Sequence, residues 1–128
     1  MSAMSDYLEN EILDHILGTG AYTMPTTVYV GLSTGSFGDD NSGTELTGNG
    51  YARQSISFGA AASGTASNDA AVEFPAATGS WGTVSHFGLF DASTGGNLLI
   101  HGALTASKVI ETGDILKIAV GDMDITAA

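Results

Sequence analysis

Two apolar runs on either side of a glycine-rich turn, within residues 81–104, constrain the fold of this chain most strongly. Two such runs joined by a short turn predict a β-hairpin. In the first strand, Val84 and Phe90 fall on one face, and Phe87 and Leu89 on the other. We therefore expect a central strand that is covered on both sides. That cover requires a second sheet together with a helix, or a partner subunit.

The composition indicates a single mainly β domain that spans residues 1–128. A chain of 128 residues can build one core that buries roughly two thirds of its unfolded surface. Hydrophobic residues make up 43% of the chain and charged residues 13%, with 18 glycines. This balance favours short strands and tight turns over a helical bundle or a disordered chain.

The charge balance argues against nucleic acid and anionic membranes as partners. The 14 acidic and three basic residues give a net charge of −11, which leaves no basic surface for phosphate groups. No apolar run approaches the roughly 20 residues of a membrane span, and the first residues lack the pattern of a secretory signal. We expect a soluble product that is made in the cytoplasm. The chain has no cysteine, so disulfides and thiolate metal sites are excluded.

Residues 5–18 are predicted to form an N-terminal helix. Asp6 and Glu9 have the spacing of a capping box in which Asp is the cap, and Gly18 provides a left-handed C-terminal residue. A helix of this length is marginal in water unless its apolar face docks, either on the sheet or on a neighbouring subunit. The residues of that face are Leu8, Ile12 and Ile16, with Leu13 and Leu17 beside them.

The remaining pattern predicts an antiparallel β-sandwich of about eight short strands over residues 27–126. Residues 33–50 are predicted to be a long polar loop, and loops of this length are often functional or ordered by a partner. A small-residue loop is expected over 59–67. Near the C-terminus, the segments 107–110 and 115–120 flank a tight polar turn and predict a further hairpin.

Candidate metal and catalytic groups do not form a convincing set. His86 and His101 lie on the two strands of the hairpin near Asp91, but no convincing third metal ligand accompanies the two histidines. Residues 39–45 carry the oxygen ligands of a calcium loop without its spacing, and whether these groups bind a metal stays open. Ser85, His86 and Asp91 lack the nucleophile elbow of a hydrolase. We expect no catalytic site, no cofactor and no bound metal.

The predicted partner-binding residues follow from the charge excess and the helix. Three cations cannot neutralise 14 carboxylates, so acidic side chains must be solvated or meet a basic partner. One of the cations, Arg53, is placed in a half-exposed strand over 51–58. An aromatic beside a glycine is more typical of a core or rim than of a sugar platform. The predicted contacts are Leu8, Ile12 and Ile16 in the helix, Asp39 and Asp40 in the long loop, and Trp81.

Several short motifs follow one another in a specific order along nearly the whole chain. They are Tyr7-Leu8-Glu9-Asn10, Ile12-Leu13-Asp14-His15, Val28-Tyr29-Val30-Gly31-Leu32-Ser33-Thr34, Tyr51-Ala52-Arg53, Phe74-Pro75-Ala76-Ala77, Trp81-Gly82-Thr83-Val84, Phe87-Gly88-Leu89-Phe90-Asp91 and Gly95-Gly96-Asn97-Leu98-Leu99. This succession resembles a family of small tailed-bacteriophage proteins that are usually labelled phage tail fibre proteins. The resemblance implies a non-enzymatic structural protein of the virion, made in the cytoplasm of the host bacterium.

Three interpretations follow from this resemblance and the missing fibrous shaft. The first is a capsid decoration, or cement, protein that binds across neighbouring subunits of the major capsid protein and stabilises the shell through many copies. The alternative is a tail fibre or baseplate component that contacts the host, with Tyr29, Tyr51 and Trp81 facing a glycan. A free carbohydrate-binding β-sandwich is a second alternative. On a particle we expect contacts with other virion proteins and a homo-oligomer, a trimer.

Overall fold

One helix and nine short strands form the chain over residues 2–127, the part that this computed structural model describes. The helix α1 is Asp6–Leu17. The strands are β1 (Ser2–Met4), β2 (Val28–Ser33), β3 (Gln54–Ile56), β4 (Thr65–Ser67), β5 (Val72–Glu73), β6 (Gly82–Phe90), β7 (Leu98–Ile110), β8 (Lys117–Ile118) and β9 (Asp124–Thr126). The prediction of a mainly β, antiparallel single domain with one N-terminal helix is confirmed.

The predicted hairpin lies at the centre of a five-stranded antiparallel sheet. The strand order is β1-β7-β6-β2-β3, so the hairpin strands β6 and β7 are both paired on two sides. Leu89 pairs with Ile100 across the hairpin and with Val30 on the other side. The apolar content of β6 therefore reflects its position in the middle of the sheet.

Two small ribbons cover one face of this sheet. Strand β4 pairs with β9, and β5 pairs with β8, both antiparallel. Their side chains and those of the sheet enclose the larger of two apolar clusters. Its fully or almost fully buried members include Val30, Leu32, Phe74, Trp81, Val84, Phe87, Leu89 and Leu116.

The opposite face of the sheet is covered by the connection between β2 and β3, residues 34–53. A glycine pair, Gly31 opposite Gly88, leaves a depression in the sheet, because a Cβ at Gly88 would lie 2.9 Å from the side chain of Leu98. Phe37 from the connection packs edge-on against Phe90, with ring centroids 5.6 Å apart. These rings and Leu98 form the second buried cluster. The prediction that both faces are covered is confirmed, and the predicted long loop supplies part of the cover.

Several local predictions are wrong because strand pairing departs from a regular alternation. Val84 belongs to the same cluster as Phe87 and Leu89 rather than to that of Phe90, since the register shifts between Val84 and His86. The predicted hairpin over 107–120 does not form: β8 pairs with β5 instead. Part of the small-residue loop is strand β4.

The start of α1 is fixed by Ser5 rather than by Asp6. The Ser5 hydroxyl accepts a hydrogen bond from the Leu8 amide at 3.2 Å and donates to the carbonyl of Leu98. The Ser5 amide donates to the Leu99 carbonyl at 2.8 Å. Ser5 therefore ties the first turn of the helix to β7, whereas the cap at Gly18, in the left-handed conformation, is as predicted.

The second cluster gives a test of this arrangement. Truncation of Phe90, of which 1% is exposed, should lower the free energy of unfolding by about 3–5 kcal/mol, because it leaves a cavity under Phe37. Met24→Ala, at a position that is 79% exposed, should change it by less than about 0.5 kcal/mol. Urea denaturation of both variants measures the difference. A loss below about 1 kcal/mol for Phe90→Ala would contradict the assigned cover of this face.

Candidate interaction surfaces

Arg53 holds the connection over residues 34–53 against the sheet. Its side chain is 8% exposed, and its guanidinium donates to both carboxylate oxygens of Glu45, from Nε at 2.9 Å and from Nη2 at 2.8 Å. Nη1 donates to the carbonyls of Ala92 and Gly95, both at 2.8 Å. The guanidinium carbon lies 3.6 Å from the centre of the Phe90 ring. A bidentate ion pair, two carbonyls and a cation–π contact thus converge on one side chain.

Tyr51 extends this polar cluster to strand β2. Its hydroxyl donates to Glu45 Oε2 at 2.5 Å and accepts from the Leu32 amide at 2.9 Å. Burial, with the nearby Glu45 carboxylate, raises the pKa of the Tyr51 hydroxyl well above its usual range. A Cβ at Gly31 would lie 2.8 Å from Glu45 Oε2 and 3.0 Å from the Tyr51 hydroxyl. The glycine therefore makes the room that this cluster occupies.

The acidic tip of the connection lies beside the N-terminus of α1. The carbonyl of Asp39 accepts a hydrogen bond from the Asp6 amide at 2.8 Å, which is one of the amides that a helix leaves without an internal partner. The Asp39 carboxylate lies 2.7 Å from Nε2 of His101 on β7. Asp39 is therefore a structural link between the tip, the helix and the sheet.

Asp40 lies at the exposed side of the same tip. Its carboxylate accepts from the Ser42 amide at 3.1 Å, and hydrogen bonds from Ser42 hold the pKa of this carboxyl below its usual range. Asp40 is thus charged at neutral pH and faces solvent. Asp39 and Asp40 are both exposed, but the Asp39 carboxylate already contacts His101, which leaves Asp40 as the acidic side chain of the tip that can meet a charged partner.

The large apolar side chains in the last two turns of α1 are exposed. Leu8 in the first turn is 7% exposed, whereas Leu13, Ile16 and Leu17 are 54%, 70% and 71% exposed. These three side chains, which we call the helix end, are neighbours at spacings of one, three and four residues. Aliphatic side chains grouped in this way are typical of a surface that contacts another molecule.

The structure separates the predicted contact residues into two groups. Ile16, Asp39 and Asp40 are exposed, Ile12 is half-buried, and Leu8 lies within the fold. Trp81 is also in the core: it is 5% exposed, and its indole nitrogen donates to the Asn49 carbonyl at 2.9 Å. Trp81 is therefore a core aromatic, as its place beside a glycine had favoured, and not a sugar platform. Leu13 and Leu17, which were placed beside the predicted stripe but not named as contact residues, are exposed together with Ile16.

The side chains considered for metal binding or catalysis have other partners. Asp91 accepts hydrogen bonds from the amide and side chain of Asn97, His101 contacts Asp39, and Nδ1 of His86 lies 2.7 Å from the Ser85 hydroxyl. Among residues 2–127, no three His, Asp or Glu side chains are grouped as a metal site requires. The exposed surfaces, rather than a pocket of reactive groups, are the candidate functional features.

Comparison with protein families identifies the chain. The family described as "Podophage GP4 fiber I protein gp80" matches residues 3–126. The chain belongs to this family. Membership makes it a bacteriophage virion component of the tail fibre type and agrees with the resemblance seen in the sequence motifs. No curated protein matches the chain.

The helix α1 is too short to cross a bilayer, and no other helix occurs between residues 2 and 127.

Replacement of Arg53 tests whether its cluster holds the fold together. Arg53→Met should lower the free energy of unfolding by about 3 kcal/mol, because Glu45 and two carbonyls lose their donor. Arg53→Lys should recover part of this loss, since an ammonium group cannot reproduce the bidentate geometry. Both values come from urea denaturation monitored by Trp81 fluorescence.

Lys117→Ala provides the matched control for a charge pair at the surface. Lys117 lies 3.4 Å from Glu73, and both side chains are more than half exposed, so its replacement should cost less than about 0.5 kcal/mol. Equal losses in the free energy of unfolding for the Arg53 and Lys117 variants would show that the buried cluster stabilises the fold no more than a surface ion pair does.

Proposed function

We propose that this protein is a subunit of a tail fibre on a short-tailed phage, where it contributes to contact with the host cell without catalysing a reaction. The observation that carries the proposal is the match of a podophage fibre family to residues 3–126, which is nearly the whole chain. A fold stabilised by a buried ion pair and two apolar clusters suits a structural subunit, which must keep its shape outside the cell.

The tail position is better supported than the capsid position. The family description is that of a fibre protein, and the capsid-cement interpretation has no observation of its own beyond the small acidic domain. The missing shaft is compatible with a fibre if this domain forms one module of the appendage and other chains provide its length.

Of the three aromatic side chains predicted to face a glycan, Tyr51 and Trp81 are packed against the core, and Tyr29 is half-buried. Trp81 and Tyr51 pack on each other, with ring centroids 5.6 Å apart, and Phe74 lies against both rings. Their faces are used in the core, so they are not available to stack on a sugar. We propose that the exposed polar turns, such as the tip at Asp40, make the contact instead.

Contacts between copies are proposed to involve the helix end. Exposure of Leu13, Ile16 and Leu17 in water is unfavourable, and burial against the same side chains of other copies would remove this exposed apolar surface. Around a three-fold axis the three helix ends would meet in one apolar centre, while the acidic side chains of each helix remain at the rim. This arrangement is the trimer expected on the particle from the missing shaft and the exposed loops.

Localisation on the particle tests the proposed function. Gold-labelled antibody against the protein should mark the tail of the virion and leave the capsid unmarked. Particles that lack the protein should keep their genome on heating but adsorb to host cells several-fold more slowly. The purified protein, added in excess, should slow adsorption of wild-type phage. Labelled capsids, or particles that lose their DNA without the protein, would instead favour the cement interpretation.

The proposed trimer predicts a specific effect of the helix end. Light scattering coupled to gel filtration should give a trimer for the wild type and a monomer for the double variant Leu13→Gln, Leu17→Gln, because glutamine keeps helix propensity but removes apolar area. Val120→Thr, at an exposed apolar residue outside the helix, is the control and should remain trimeric. A trimer that survives the double replacement would place the contact elsewhere.

A further inference from the structure

Strand β7 is interrupted by a four-residue bulge that has no strand partner. His86 pairs with Ala103, and the next pair along β6 joins Val84 to Lys108. One residue of β6 therefore faces the four residues Leu104–Ser107 of β7. On the other side of β7, pairing with β1 ends at Gly102, opposite Ser2. Within residues 2–127, the main chain of Leu104–Ser107 has no ladder neighbour on either side.

A groove runs beside this bulge. Its larger part has a volume of about 500 Å³ and lies between Ser2, the start of the bulge and the segment that leads into β9. A second part of about 220 Å³ continues along the bulge towards β8. Both parts share Leu104, Thr105, Asp122 and Met123. The groove is thus continuous with the line that β1 takes along the edge of the sheet.

The lining of the groove has an apolar floor and charged rims. Met123 and Phe87, at 4% and 5% exposure, lie at its base. Asp124 lines the part near Ser2, Asp122 lines both parts, and Lys108 and Lys117 line the part towards β8, where Lys117 also contacts Glu73. Asp124 accepts a hydrogen bond from Ser67. The groove is therefore negative at one end and positive at the other.

We propose that this groove binds an extended segment of a partner protein, which adds to the sheet beside Leu104–Ser107 with a Lys or Arg side chain near Asp122. Unpaired strand backbone selects an extended chain, since its amides and carbonyls are matched by those of another strand. The apolar floor accepts every second side chain. The two aspartates select a basic residue at the end near Ser2.

The charge of the protein argues against a second copy as the occupant. Of its three basic residues, Arg53 is buried in its own cluster and Lys108 and Lys117 line this same groove, so a second copy has no other basic side chain to place beside Asp122. The inference does not depend on where the protein lies on the virion or on the helix end, because the groove uses different residues from both proposed contacts.

A peptide library tests the proposal on the full-length protein. The probes are octapeptides with Val or Thr at alternate positions and Lys, Ser or Glu at the others. We expect binding by fluorescence anisotropy at low salt only for members with Lys near one end, and weaker binding as salt rises. Hydrogen exchange of the amides at Leu104–Ser107 should slow at least several-fold with the bound peptide, while exchange in the turn at 59–64 should not change.

Three variants connect the binding to the groove. Asp122→Asn together with Asp124→Asn should weaken binding about fivefold, as expected for two partly exposed charge contacts, and Asp40→Asn should leave it unchanged. Thr105→Pro removes an amide in the bulge and should abolish binding with little change in the melting temperature.

Three results would overturn the proposal. They are the absence of binding by any library member, binding that the aspartate variants do not affect, and unchanged exchange at Leu104–Ser107 when a peptide is bound. If Thr105→Pro does not fold, the hydrogen-exchange measurement on the wild type still shows whether the peptide binds beside Leu104–Ser107. The protein alone could also form dimers that protect the same amides and that are altered by Asp122→Asn and Asp124→Asn. Such dimers would identify a second copy as the occupant and would contradict a basic partner.

Discussion

The fold depends on one buried cation in a chain that is otherwise strongly acidic. Removing a guanidinium from water is costly unless each of its donors finds an acceptor, and Arg53 finds Glu45, Ala92 and Gly95. The planar group also lies on the ring of Phe90, a contact that lysine could not make in the same way. Three parts of the chain are joined at this point: the β2–β3 connection, the end of β6 and the turn that leads to β7. Their relative positions are therefore defined by directional bonds as well as by apolar packing.

Features set by neighbouring residues were predictable, and features set by distant pairing were not. The helix over 5–18 is found at Asp6–Leu17, because its apolar spacing and Gly18 are local properties, and the hairpin of β6 and β7 was predicted for the same reason. The face of Val84 was not predictable, since it depends on a bulge in the other strand. The role of Phe37 was also missed, because a single aromatic in a polar segment gives no periodic pattern. Arg53 was assigned to a half-exposed strand, although its carboxylate partner lies only eight residues earlier.

The same distinction applies to the predicted contact residues. An apolar stripe indicates which side of a helix docks, but it does not indicate how far the sheet extends beneath it. Here Leu8 is buried and Ile16 is exposed, so one stripe divides into a buried and an exposed half. Likewise, the dipeptide Asp39-Asp40 predicts an acidic tip, but the sequence could not show that the Asp39 carboxylate contacts His101. The resemblance to the phage tail fibre family followed from the succession of motifs rather than from any single side chain.

The way in which Arg53 holds the turn between β6 and β7 has a consequence for how this protein can evolve. Arg53 binds the turn through the carbonyls of Ala92 and Gly95, which every amino acid possesses, and the side chains of Ser93 and Thr94 are exposed. Residues at these two positions can therefore be exchanged while the turn keeps its shape. The β2–β3 connection lacks this freedom, since the side chains of Phe37 and Glu45 are part of the interior. The sequence of the short turn can therefore diversify without any change in the rest of the domain.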